Sequence, residues 1–330
     1  MDLFKKFLLI LSIPFVVCAD KVILPTEETE PLETPWLTGP LLAPSGMTVP
    51  QGHILFEPYV YILANRANYD EDWHAVKLSA PFWNNYFQPQ IQVGATPWLD
   101  VQILPTVFYN YTDGSAKWAL GDTPIGVDIQ LFQKGKDPTD WITGIKLVLK
   151  ETLPIGKYRN LNPDKQGTDI GGSGSWATSV GIVWGQLIHI KKLHFFDTRL
   201  SVQYTIPAPV HVKGFNTYGG GFGTDGTIYP PQNLQIDLGM EFTLTKNWVL
   251  AMDILGSWST PARFKGKVGV GTDNLPAFDS FGSAAQFSLA PAIEYNWNEN
   301  IGLIAGSWFS VAGRNSIQFA SGIIAFSYYR

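Results

Sequence analysis

Residues 234–244, Leu-Gln-Ile-Asp-Leu-Gly-Met-Glu-Phe-Thr-Leu, constrain the fold more than any other part of this chain. In an extended backbone successive side chains point to opposite faces. Leu234, Ile236, Leu238, Met240, Phe242 and Leu244 then share one face, and Gln235, Asp237, Gly239, Glu241 and Thr243 the other. The same alternation sets Phe87, Pro89, Ile91 and Val93 against Gln88, Gln90 and Gln92. It sets Leu200, Val202, Tyr204 and Ile206 against Arg199, Ser201, Gln203 and Thr205. It also sets Phe287, Leu289, Ile293 and Tyr295 against Ser288, Ala290, Glu294 and Asn296. A soluble sandwich that turned such apolar bands to water would aggregate. A strand that crosses a bilayer in about ten residues needs this pattern, with lipid on one side and a polar interior on the other.

Twelve segments carry the pattern: 52–63, 82–94, 99–110, 121–133, 141–153, 175–189, 195–206, 232–244, 248–259, 284–297, 301–312 and 317–329. The first alternates least cleanly. Connections after even segments are short: 95–98, 134–140, 190–194, 245–247 and 298–300. Those after odd segments are long, at 64–81, 111–120, 154–174, 207–231 and 260–283, with 313–316 the exception. An even strand number with alternating short turns and long loops predicts an all-β, antiparallel transmembrane barrel with short periplasmic turns and long outer loops. Aromatics gather near the segment ends, with Trp98, Trp141, Trp248 and Trp297 by the short turns and Tyr109, Tyr111 and Trp258 by the long ones. Two interfacial girdles fit a barrel.

Composition and the first residues set the compartment. Only 15% of the residues are charged and 14% are aromatic. Such sparse charge excludes a charged disordered tail protein. The net charge of −5 argues against nucleic acid as a partner. Lys5 and Lys6, the apolar run 7–17 and the small-residue site at Val17-Cys18-Ala19 predict a secretory signal peptide over 1–19. Cleavage after Ala19 removes the single cysteine; the competing reading acylates Cys18. Residues 20–51 are irregular, rich in Pro, Glu and Thr. Residues 52–330 are expected to form the barrel, in the outer membrane of a Gram-negative bacterium.

The most specific stretch lies within 121–185. Gly121-Asp122-Thr-Pro-Ile-Gly126 is followed by Leu153-Pro154-Ile155-Gly156-Lys157-Tyr158 and then by Gly167-Thr-Asp-Ile-Gly171-Gly172-Ser173-Gly174. The stretch resembles the bacterial outer-membrane family labelled meta-pathway phenol-degradation proteins, which is distantly similar to the long-chain fatty-acid and toluene channels. Ile155 stands where that family usually has Thr. The last strand, Ile323 to Arg330, resembles the aromatic-ending signal read by the outer-membrane assembly machinery, with the aromatic here penultimate. The resemblance implies a barrel with a transport role over 52–330 and supplies no catalytic residues. N-terminal segments of the fatty-acid channels fold into the lumen as a plug. For residues 20–51 two readings stand: such a plug, or a flexible periplasmic leader.

If apolar faces meet lipid, the charges on the polar faces line the lumen: Glu57, Asp100, Asp128, Asp237, Glu241, Asp253 and Glu294 against Lys146, Lys150 and Arg199. Carboxylate rings favour cations. A twelve-strand barrel lies between the filled eight-strand and the open sixteen-strand case, so a channel lining and a hydrogen-bonded filled core both remain. Gly221, Gly223 and Gly226 match G-x-G-x-x-G outside any strand–helix unit, which predicts an outer loop and no dinucleotide. Asp225, Asp273 and Asp279 are candidate Ca²⁺ ligands by chemistry alone. The five histidines form no zinc motif, and His211 is the rim candidate for a lipid-modifying site, without a nucleophile motif beside it. His189 and His194, with Lys191 and Lys192, read as a solvated turn. The expected function is a passive channel or transporter for small molecules, hydrophobic ones included. The alternatives are a sealed structural or surface-interaction barrel and, behind it, a lipid-modifying enzyme. No cofactor, metal or catalytic residue is expected. The expected partners are membrane lipid, the assembly machinery and a small-molecule substrate that the sequence does not name.

Overall fold

The computed structural model describes residues 35–135, 142–191, 193–277 and 282–330. The signal-peptide reading, Trp141, Lys192 and Asp279 lie outside these residues. The first strands are β1 (Ile54–Tyr69), β2 (Ala75–Thr96), β3 (Leu99–Ile103), β4 (Val107–Thr112), β5 (Ser115–Leu120), β6 (Thr123–Lys134) and β7 (Ile142–Leu153). Then come β8 (Ala177–Lys191), β9 (His194–Pro207), β10 (Val210–Lys213), β11 (Asp225–Tyr229), β12 (Asn233–Thr243) and β13 (Trp248–Ser259). The chain ends with β14 (Arg263–Lys267), β15 (Ala284–Asn298), β16 (Ile301–Arg314) and β17 (Ser316–Tyr329).

Antiparallel pairing runs β1-β17-β16-β15-β13-β12-β9-β8-β7-β6-β3-β2, and β2 pairs back onto β1, so the sheet closes. At the seam the Ile54 amide donates to the Arg330 carbonyl and the Arg330 amide to that of Ile54. β3 with β4, and β5 with β6, are each one wall strand broken midway. Leu104-Pro105-Thr106 interrupts the first and Gly121-Asp122 the second, because Pro105 has no amide to give a ladder. Main-chain bonds from Leu104 to Pro124 and from Gly121 to Thr106 carry the pairing across. Counted this way, the described residues form a closed barrel of twelve wall strands, each overlapping one of the twelve alternating segments.

The expected face assignment follows the pleat. Ile293 is 43% exposed on the outer face while its neighbour Glu294 is 0% exposed on the inner. Trp98, Trp248 and Trp297 are exposed near the short turns, and Trp118 and Trp176 toward the loop end.

Two of the five long connections are strand instead. β1 and β2 run on to a turn at 70–74, where the Asp70 carboxylate accepts the amides of Asp72 and His74. β4 and β5 meet in an Asp113-Gly114 hairpin, with Gly114 at φ 81°, the residue pair that such a two-residue turn prefers. Asn65, Arg66, Asn68 and Lys77 lie on these extensions. Strand that stands clear of lipid has no apolar band, so alternation of hydrophobicity cannot mark it. The longer connections described at this end are 154–176, 208–232 and 260–277. β10, β11 and β14 form a separate three-stranded sheet among them.

Candidate functional site in the lumen

Residues 36–50 lie inside the barrel. They enter at the short-turn end, where Trp36 lies under the Lys246 ammonium at 4.6 Å and its carbonyl accepts from Asn296 Nδ2. They climb to mid-wall at Leu41–Ala43 and return to the short-turn end, where the Gly52 amide donates to the Gly94 carbonyl. A segment so rich in Pro and Gly forms no helix or ladder of its own, yet its buried amides need acceptors. The wall supplies carboxylates. Glu294 takes the Thr38 amide at 2.9 Å, Glu241 that of Gly39 at 3.1 Å, and Asp253 those of Leu42 and Ala43 at 3.3 and 3.0 Å. On the return, Asp100 takes the Val49 amide at 2.7 Å and Gln130 takes that of Thr48 at 2.7 Å.

Inward-facing wall glycines mark the same path. A Cβ on Gly144 would sit 2.6 Å from the Gly46 carbonyl oxygen, and one on Gly185 would sit 3.0 Å from the Gly46 Cα. One on Gly239 would sit 2.6 Å from Pro40 and Ala43. Backbone passes where only glycine leaves room. Leu41 packs in an apolar cluster with Tyr61, Ile304, Ile323 and Ala325 on the inner faces of β1, β16 and β17. This explains the weak alternation of the first segment: β1 is apolar outward toward lipid and also inward against Leu41.

All ten charged residues assigned to the lumen from the sequence lie on the inner face. Eight are buried, and Lys150 and Arg199 are half-buried. They form two groups. On β2, β3, β6 and β7, Lys146 pairs with Asp128 at 2.5 Å, and Gln92 and Gln102 donate to the same carboxylate, with Asp100 and Lys150 nearby. On β9, β12, β13 and β15, Arg199 bonds Asp197 at 2.7 Å and Glu241 at 2.9 Å, with Glu294 beside them. Glu57, Asp253 and Asp237 complete this acidic side. Asp197 escaped the sequence reading, although its parity with Arg199 places it inward. The inward glycines were a second unread signal.

Beside the internal segment a cavity of about 500 Å³ remains. Gln88, Gln90, Gln203 and Gln235 line it together with Lys150, Asp237 and the rings of Tyr59 and Tyr61. Tyr61 stacks on Tyr86 at 4.2 Å between ring centres. The void is therefore amide-rich with one aromatic wall.

The glycine-rich stretch within 121–174 closes on itself away from this cavity. Asp122, at the break between β5 and β6, accepts the amides of Gly156 and Ser173 and the Ser173 hydroxyl. Gly171 and Gly172 donate to the Lys157 carbonyl. Asn110 Nδ2 reaches the Thr168 and Ile170 carbonyls, seating loop 154–176 on β4. Gly174, at φ 71°, lies against the ring of Tyr158. The motif is a structural knot that ties the loop to the broken wall strand.

The other candidates disperse. Asp225 sits on β11, 3.2 Å from His211, and among the described residues no group of three metal-binding side chains forms. His194 Nδ1 lies 2.9 Å from the Thr243 carbonyl, so it is more tied into the wall than a solvated turn would be.

No protein-family model and no curated protein matches the sequence. Solved structures do. The COG4313 outer membrane channel from Pseudomonas putida F1 superposes with a TM-score of 0.62 at 12% identity, covering 86% of this chain and 97% of that one. The Pseudomonas putida toluene transporter TodX gives 0.39 at 10% identity, with 91% and 100% covered. The β domain of the Bordetella autotransporter BrkA gives 0.42 at 10% identity, with 83% and 98% covered. The chain shares the fold of a bacterial outer-membrane channel, a closed antiparallel barrel of twelve strands.

Proposed function

We propose that this protein is a passive outer-membrane channel for small molecules, throttled by its own N-terminal segment. The observation that carries this reading is residues 36–50, pinned to wall carboxylates inside the barrel with a polar cavity of about 500 Å³ left beside them. Among the described residues the wall buries nine charged groups on its inner face, and Asp100, Glu241, Asp253 and Glu294 among them accept amides of the segment. The cavity combines amides that both donate and accept hydrogen bonds with tyrosine rings that stack. That lining suits small solutes with an apolar ring and a polar substituent, hydrophobic molecules among them.

Planar-bilayer recording tests it. The full chain should conduct weakly, and a chain lacking residues 36–50 should conduct several-fold more. Equal conductance from both would show that the segment does not limit passage. No conductance from either would favour a sealed barrel.

A further inference from the structure

Beyond the wall, the three-stranded sheet of β10, β11 and β14 has two unlike faces. One buries Val210, Val212 and Ile228 with Phe264, Tyr158 and Tyr218 packed on them. The other carries more cations than acids, and its lysines and Arg263 are exposed. The register places Lys213, Asp225 and Lys267 in one row across it, His211, Thr227 and Lys265 in the next, and Tyr229 beside Arg263 in the third. Four permanent cations and one histidine thus share a face with one acid, Asp225, in a chain whose net charge is −5. Asp225, 3.2 Å from His211, sits between Lys213 and Lys267 in its row, so four cations against this one acid leave an excess of three positive charges on the face. Arg263 and Lys265 both lie over the Tyr229 ring, at 5.8 and 5.5 Å. Stacked stems hold these two heads in place rather than leaving them to sweep through solvent. Adjacent strands are about 4.8 Å apart and alternate residues about 6.6 Å, so Arg263, Lys265 and Lys267 form a column on β14 with Lys213 two strands away.

The position of the sheet names its partner. β10, β11 and β14 continue the wall strands β9, β12 and β13 after breaks of two or three residues, at 208–209, 230–232 and 260–262. The sheet therefore begins where the wall ends at the loop end, with its cationic face on the side opposite Tyr158 and Tyr218. The outer leaflet of a Gram-negative outer membrane presents a glycolipid bearing phosphate groups. The geometry points to this face as a docking surface for lipopolysaccharide phosphates, with Lys213, Lys265 and Lys267 as the principal contacts and Arg263 as a fixed fourth. Clustered Lys and Arg beside a membrane bind anionic headgroups by summed, salt-sensitive attraction. The inference rests on the outer-membrane reading of the barrel, with these loops on the outside.

The test uses the full chain purified in non-ionic detergent, with lipopolysaccharide as the probe. The triple variant Lys213→Ala, Lys265→Ala, Lys267→Ala should bind lipopolysaccharide about a hundredfold more weakly than the parent. A double variant at the opposite end, Lys134→Ala with Lys191→Ala, should retain it normally, since both residues are exposed by the short turns. Dephosphorylated lipopolysaccharide should bind the parent as weakly as intact lipid binds the triple variant. Millimolar inorganic phosphate should not compete. Equal retention by parent and triple variant, or by intact and dephosphorylated lipid, would overturn the proposal. So would full competition by free phosphate, which would mark a soluble-anion site. Heat-modifiable migration on gels confirms that each variant is folded. Conductance is measured separately, so failure of lipid binding leaves the channel reading standing, and loss of conductance leaves this one.

Discussion

At the scale of single residues the barrel is a set of decisions about which solvent each side chain meets. Ile236 and Gln235 are neighbours on β12, yet Ile236 faces lipid and Gln235 lines the cavity. Ile236→Arg should cost about 2–4 kcal/mol if it lies at the midplane. Gln235→Arg should be far milder, because a one-residue step moves the same charge into the polar interior. Urea titration of folding into lipid vesicles measures both, and equal stability would refute the assignment of faces. Asp253 makes a different decision, since its two oxygens hold the Leu42 and Ala43 amides. A hydrogen bond to a charged group contributes about 1.5–3 kcal/mol. Asp253→Ala should therefore leave the barrel folded but free the mid-wall part of the internal segment. Faster proteolysis within 40–50 and a rise in conductance would show it; an unchanged cleavage rate would mean that the carboxylate is not the latch.

At the scale of elements, wall and internal segment fit through glycine. Gly185 meets Gly46 of the segment, whereas a Cβ on Gly322 would meet nothing within 4 Å. Gly185→Val should push the segment off the wall and raise conductance, and Gly322→Val should be silent in that assay. Identical currents would contradict the path described here. These glycines also show why the sequence was legible in part. Wall strands could be read because lipid forces one face of each to be apolar, so Leu234 to Leu244 announce themselves. β1 was harder to read, because Tyr59, Tyr61 and Leu63 turn inward to pack on or near Leu41. The extensions of β1, β2, β4 and β5 were read as loops, because strand outside lipid carries no alternating band. Gly144, Gly185 and Gly239 held the footprint of the segment, but an inward glycine has that meaning only once its partner is known. Parity alone sets the ten charges on one face of their strands. Their division into a paired group around Asp128 and an acid-rich group around Arg199 does not follow from parity, because it depends on which strands are neighbours across the closed sheet.

At the scale of the whole molecule, charge is unevenly distributed around one pore. Lys146 and Lys150 balance Asp100 and Asp128 on one side of the wall. On the other, Arg199 alone answers Glu57, Asp197, Asp237, Glu241, Asp253 and Glu294. Four of these six acids are committed to Arg199 or to the internal segment, through Asp197, Glu241, Glu294 and Asp253. Asp237 is different: it lines the cavity, and neither of its carboxylate oxygens has a hydrogen-bond partner among the described residues. Fixed negative charge in a confined space of low effective dielectric attracts counter-ions strongly. The channel should therefore prefer cations weakly, and the preference should fade with salt as the Debye length falls from about 10 Å at 0.1 M to about 3 Å at 1 M. Asp237→Asn with Glu241→Gln should shift the reversal potential toward zero more than Asp273→Asn in the outer loop. An anion-selective reversal potential, or one that the lumen substitutions leave unchanged, would show that the permeating ion does not pass the acidic wall.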